Sequence, residues 1–283
     1  MLDSERHFYR FVREEGLFCA TLAHLLMQRG SNLATFLELV NSKVPHDSQL
    51  VTSRLEEAQI YVEFTFLRDH WNSLEKNNDA KRRLIFALLS KVDGLSHYRD
   101  EDFPSTIPKF NEFFMGPHGG RIRRDIVNPG RWSVTTLSEQ FGREPEEFRD
   151  FCKFKWAFNI KPDMVILLPG ASPLCIEAKL ESKEGQYPAS KRECEIFDRL
   201  FGARKGRVRQ MKLQQFMFGR LLDAPCRSVL IAGSKERGKD KEVPFLSWQE
   251  VFTKLDLSSS IGYVRRLVEE NRHLKAVPID SGL

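Results

Sequence analysis

The chain has 283 residues, of which 41% are apolar, 11% aromatic and 29% charged, with a formal net charge of +5. This composition fits a globular protein of one large domain or two modest ones. It argues against a membrane span, since no apolar run reaches the roughly 18 to 20 residues that one needs. The opening MLDSERHFYRF also lacks the basic-then-apolar order of a secretory signal, so a cytoplasmic protein of bacterial type is expected.

In chain order, helical periodicity and capping residues predict helices over about 5–28, 32–42, 54–75, 79–93 and 104–115. The breaks fall at RGSN, VPHDSQ, KNND and RDEDFPST, and GPHGGRIRRDIVNPGR over 116–131 reads as a loop. Beyond it the character changes. RWSVTTL (131–137) is compatible with a short strand, and PEEFRDFCKFKW with a short helix. Strands are predicted at 160–168 and 174–180, a basic helix at 206–222, a strand at 226–233 and two closing helices. The expected organisation is therefore a largely helical region over 1–130, whose first helix packs on a core, and an α/β core over 131–283. Five cysteines lie scattered without a CxxC pair, which reads as free thiols in a reducing compartment.

The segment NIKPDMVILLPGASPLCIEAKLES (159–182) concentrates the chemistry. Its two runs are apolar on both faces, as in central strands, and PGASP makes a hairpin easy. Strand periodicity puts Cys175, Glu177 and Lys179 on one face, and antiparallel pairing brings Asp163 near Glu177. Two buried carboxylates are costly unless a cation or hydrogen bonds compensate them. Oxygen ligands suit Mg2+, with Mn2+ as an alternative. The candidate metal ligands are Asp163, Glu177 and the Ala178 carbonyl, and Lys179 is placed to orient a water or hold a phosphate oxygen. A structural Glu–Lys or Asp–Lys bridge is the competing explanation of the same charges.

Pro162-Asp163 followed by Glu177-Ala178-Lys179 resembles the signature of the PD-(D/E)XK nuclease superfamily. The resemblance covers residues 162–179 and implies a restriction-endonuclease-like fold, with a central mixed β-sheet flanked by helices. It also implies Mg2+-dependent hydrolysis of phosphodiester bonds. Members of that superfamily often add a carboxylate from a helix before the sheet. Glu15 falls within the stripe Phe8, Val12, Cys19, Leu22 and Leu26, whereas Glu14 does not, and Glu63 is its rival. Many members also carry a glutamine on the helix after the ExK strand, a place that Gln210 resembles best and Gln214 next.

The stretch 199–212 carries six basic residues and no acid. Arg207, Arg209 and Lys212, with Gln214 and the separate cluster Arg121, Arg123 and Arg124, are candidate nucleic-acid contacts. The resulting expectation is a metal-dependent endonuclease acting on DNA in anti-phage defence or restriction, as a homodimer or with a partner subunit. Asp163, Glu177, Lys179, Glu15 and Gln210 are its catalytic candidates. A non-catalytic nucleic-acid-binding or scaffold protein of the same fold, and a hydrolase of another phosphate ester, are the alternatives.

Overall fold

A computed structural model describes residues 15–28, 30–45, 49–50, 53–117, 124–180, 184–233 and 243–271, with side chains up to Glu269. The fold is mixed α and β, with a five-stranded mixed sheet, a small two-stranded sheet and eleven α-helices among these residues. The chain divides into two compact units, one of 1–64, 162–184 and 226–283, the other of 65–161 and 185–225. This division does not run at residue 130, because the first unit draws on both ends of the chain.

The first unit contains strands β1 (Gln59–Val62), β2 (Met164–Leu167), β3 (Leu174–Lys179), β6 (Arg227–Ala232) and β7 (Phe245–Ser247), in the order β1-β2-β3-β6-β7. β1–β2 and β2–β3 are antiparallel, whereas β3–β6 and β6–β7 are parallel. Along β3, Leu174, Ile176 and Ala178 join a large apolar cluster with Met164 and Ile166 of β2. The cluster is completed by Phe18, Leu22 and Leu26 of α1 (Glu15–Gln28) and by Leu33, Phe36 and Leu37 of α2 (Gly30–Asn41). The alternate residues of β3, Cys175, Glu177 and Lys179, are also buried, so this strand is covered on both faces.

The second unit is helical and rich in aromatic side chains. It contains α3 (Phe66–Ser73), α4 (Asn78–Leu89), α5 (Ile107–Met115), α6 (Val134–Phe141), α7 (Pro145–Ala157), α8 (Lys191–Phe201) and α9 (Gln210–Phe216). Short strands β4 (Gln186–Tyr187) and β5 (Val208–Arg209) pair in antiparallel fashion. Phe114 stacks on Trp132 with centroids 3.8 Å apart, and Phe141 on Phe151 at 4.0 Å. Caps fix the helix starts: Asn77, Ser133 and Ser190 accept hydrogen bonds from the backbone N–H groups of Ala80, Thr136 and Glu193.

Several sequence expectations are corrected. RWSVTTL is not a strand, because Ser133 caps α6 and Val134, Leu137 and Phe141 bury one helical face. The helix expected over 54–75 is broken into a single 3-10 turn, the strand β1 and α3. Ile60, Tyr61 and Val62 favour an extended chain, and the free edge of β2 supplies its hydrogen bonds. The basic helix begins only at Gln210 and ends in a π-helical turn at Met217–Leu221. In the first unit α10 (Trp248–Lys254) and α11 (Gly262–Asn271) are the two closing helices. Among the described residues no helix is long and apolar enough to cross a membrane, and all five cysteines are free thiols.

Candidate functional site

The β2–β3 register pairs Met164 with Ile176 and Val165 with Cys175, so one further step sets Asp163 opposite Glu177. Pro162 and Asp163 are held at the mouth of the hairpin by β1's continuation, since Glu63 N–H donates to the Asp163 carbonyl (2.9 Å) and Phe64 N–H to that of Pro162 (3.1 Å). The Asp163 side chain turns toward β3, where its Oδ2 accepts the Ala178 N–H at 2.8 Å. Glu177 and Lys179, two residues apart on a strand, project to the same side.

Glu15 arrives from the first residue of α1. Its Oε1 accepts the Leu180 N–H at 3.1 Å and its Oε2 the Lys179 ammonium at 3.2 Å. The Lys179 Nζ thus lies 2.7 Å from Glu177, 3.2 Å from Glu15 and 3.7 Å from Asp163. Side-chain exposure is graded: 0% for Glu177, 9% for Lys179, 24% for Asp163 and 28% for Glu15. One end of the quartet is therefore sealed and the other faces solvent. The strand end is fixed from behind by Trp248, whose indole N–H donates to the Lys179 carbonyl at 3.2 Å.

The electrostatics follow from this arrangement. Burial works against the Lys179 charge, but Glu177 first, then Asp163 and Glu15, outweigh it, and the pKa of the ammonium is raised. Cys19, one turn along α1 from Glu15, was not anticipated at the site. Burial pushes its thiol well up, and the fields of Asp163, Glu177 and Glu15 add to that rise against the opposing field of Lys179. Cys19, 1% exposed, is one of the buried residues of the apolar cluster. Its place on the same helical stripe as Glu15 was the available signal.

Three carboxylates, the Ala178 carbonyl on the same strand and the solvent-facing side of Asp163 and Glu15 form a hard-oxygen donor set. The quartet itself carries three negative charges and one positive, which suits a divalent cation. Among the described residues no three His, Cys, Asp or Glu side chains stand in a ready-made metal cage. The ammonium of Lys179 holds these carboxylates together as a cation would, so ion binding requires it to give ground.

The other predicted residues are placed as follows. Glu63 is exposed, just past β1 with φ 55°, and is not on an apolar helix. Gln210 and Gln214 belong to the second unit, where Gln210 N–H donates to the Gly185 carbonyl (2.9 Å) and Gln214 is fully buried. Arg207, expected to be open to phosphate, is ion-paired with Asp198 at 3.0 Å. Arg209 and Lys212 are exposed at the start of α9, and Arg124 is exposed in the second unit. Arg121 and Arg123 lie outside the described residues. No family model, curated protein or solved structure matches this chain.

Proposed function

We propose that the protein is a metal-dependent nuclease with a restriction-endonuclease-like core, hydrolysing phosphodiester bonds, with DNA as the leading substrate. The observation that carries this reading is the convergence of Asp163, Glu177 and Glu15 on Lys179 at one end of the β2–β3 hairpin. The order α1, α2, β1, five helices, β2, β3, further helices, then a parallel β6 beside β3 is compatible with that fold.

In this reading Asp163, Glu177 and the Ala178 carbonyl would hold Mg2+ or Mn2+, with Glu15 as a further ligand. The ion would supply Lewis-acid polarisation of a phosphate and a more acidic bound water. The residues of the chain have separable tasks. Ala178 N–H fixes the Asp163 carboxylate, and Leu180 N–H fixes that of Glu15, so neither needs to reorganise when charge develops. Lys179, kept protonated by its neighbours, can hold a phosphate oxygen or steady the attacking water. Gln210 is proposed to orient the water or the backbone. Arg207, Arg209 and Lys212, with Arg121, Arg123 and Arg124, remain proposed contacts to nucleic acid, whereas Gln214 is fully buried and is not open to such a contact. A cytoplasmic role in anti-phage defence, as a homodimer or with a partner subunit, belongs to the same proposal.

One observation favours a second reading, a non-catalytic nucleic-acid-binding protein of the same fold. Glu177 is wholly buried and locked on Lys179 at 2.7 Å, as in a structural ion pair. The two readings separate when wild type, Asp163→Asn and Lys179→Met are incubated with single- and double-stranded DNA and RNA, with Mg2+ and with EDTA. The nuclease reading expects Mg2+-dependent cutting by wild type and a loss of about a hundredfold or more in both variants. Binding without cutting selects the second reading. Equal cutting by all three proteins refutes the assignment of the site.

A further inference from the structure

The second unit carries a cleft whose lining includes none of the carboxylate quartet. Its volume is about 520 Å³, within the range of small-molecule sites. One wall is α3, where Arg68, Trp71 and Asn72 share a helical face through their three- and four-residue spacing. The other wall is the irregular segment 124–131, which contributes Arg124 and Arg131.

Irregular backbone needs partners for its N–H and C=O groups, and this segment finds them in side chains. Asn78 Oδ1 accepts from Ile126 N–H at 2.7 Å. The buried Asn111 accepts from Val127 N–H (3.0 Å) and donates to the Asp125 carbonyl (2.9 Å). Asn128 Oδ1 accepts from Gly130 N–H at 2.8 Å, while Asn159 Nδ2 and Lys155 Nζ donate to the Gly130 carbonyl at 2.6 and 3.3 Å. A Cβ at Gly130 would come within 2.4 Å of Asn159 Oδ1, so a side chain there would displace Asn159. Arg124 and Arg131 are thus mounted on a fixed wall, although their own side chains are exposed.

Charge gives the ligand class. Four arginines elsewhere in this unit are ion-paired: Arg82 with Asp100, Arg149 with Glu146, Arg207 with Asp198 and Arg220 with Asp93. Among the described residues no such ion pair involves Arg68, Arg124 or Arg131. Three guanidinium groups therefore line one cleft with a single carboxylate, Asp125, which accepts from Asn78. Guanidinium forks match the oxygens of phosphate in bidentate fashion, and Asn72 adds an amide beside them.

We propose that this cleft binds the phosphate groups of a ligand of nucleotide size, in a site distinct in composition from the carboxylate quartet. The inference does not rest on the nuclease reading. Its test is isothermal titration of the full chain, in EDTA, with inorganic pyrophosphate, ATP and a short oligothymidylate. Wild type is compared with Arg68→Gln, Arg124→Gln and Arg131→Gln, and with Arg83→Gln, an exposed position of α4 that does not line the cleft. Each cleft variant should bind about tenfold more weakly, with Arg83→Gln unchanged and thermal midpoints preserved throughout. Arginine-dependent binding of pyrophosphate or ATP assigns the site to a free phosphate ligand. Arginine-dependent binding of the oligonucleotide alone assigns the same chemistry to a polymer backbone. No binding of any of the three, or binding indifferent to all three arginines, overturns the proposal.

Discussion

Replacing Lys179 by methionine removes the ammonium while keeping much of the side-chain bulk. The cost is set by Glu177, whose carboxylate is 0% exposed and 2.7 Å from Nζ. Removing one partner of a buried pair strands the other charge, at about 3–5 kcal/mol. Asp163 and Glu15 lie farther from Nζ and are 24% and 28% exposed, so both can turn to water. Their share is below about 1 kcal/mol.

The stranded carboxylate gains proton affinity in the variant. A folded state that binds an extra proton gains stability as pH falls, so the deficit of Lys179→Met narrows in acid. Adding Glu177→Gln removes the stranded charge and recovers about 2–3 kcal/mol. In the wild type the sign is the same but the window is alkaline. The folded pKa of Lys179 is raised, so its contribution is complete below the unfolded value of 10.5 and is lost as pH rises through the folded one. Urea unfolding followed by circular dichroism measures the difference. Trp248, the one tryptophan of the first unit, gives a local signal. A loss below about 1 kcal/mol, or a double variant no more stable than the single one, refutes the reasoning.

Two further perturbations probe the frame around the sites. Asn32 is 2% exposed and joins α2 to the segment before α11, donating to the Leu25 and Asp256 carbonyls at 3.1 and 3.0 Å and accepting from Asp256 N–H at 2.7 Å. Asn32→Ala should cost about 2–4 kcal/mol, and hydrogen exchange at the Asp256 amide should accelerate. Lys155 is buried, and burial first of all lowers its pKa from 10.5. A base with a depressed folded pKa makes stability rise with pH between its folded and unfolded values. Lys155→Met should flatten that rise and, at neutral pH, leave stability unchanged or up to about 1 kcal/mol higher, because Asn159 still donates to the Gly130 carbonyl. Urea midpoints at neutral and alkaline pH check both parts, and a clear loss at neutral pH counts against them.

The fold was legible where local pattern and tertiary context agree. The β2–β3 hairpin carries its own evidence in two apolar runs around a proline- and glycine-rich turn, and β6 in an apolar run closed by Gly233. The edge strand β1 was not legible. QIYV sits among residues whose spacing suits a helix, and only the unpaired edge of β2 makes the extended form the better one. The helix α6 was mistaken for the opposite reason: its Val134-Thr135-Thr136 start is β-branched, and the Ser133 cap decides the matter. The division into two units could not be read at all, since nothing in local sequence states that residues 162–184 pack with both chain ends.

At the site, strand parity was sufficient to gather Asp163, Glu177 and Lys179, because a two-residue repeat leaves no other arrangement once the hairpin forms. Helical phase singled out Glu15 over Glu14, and the Leu180 N–H and Lys179 ammonium are the partners that a carboxylate on that face requires. Arg207 shows what the method leaves out. A run of basic residues gives charge but not pairing, and the partner, Asp198, lies on α8, a helix that the charge pattern alone did not reveal. The cleft of Arg68, Arg124 and Arg131 shows the converse limit. Its arginines stand 56 and 7 residues apart in the chain, so no window of sequence contains them together. They meet because Asn78, Asn111 and Asn159 satisfy the backbone of a loop that has no regular partner. Charge in a sequence therefore marks a candidate ligand surface only where the fold also leaves that charge without an internal carboxylate to bind.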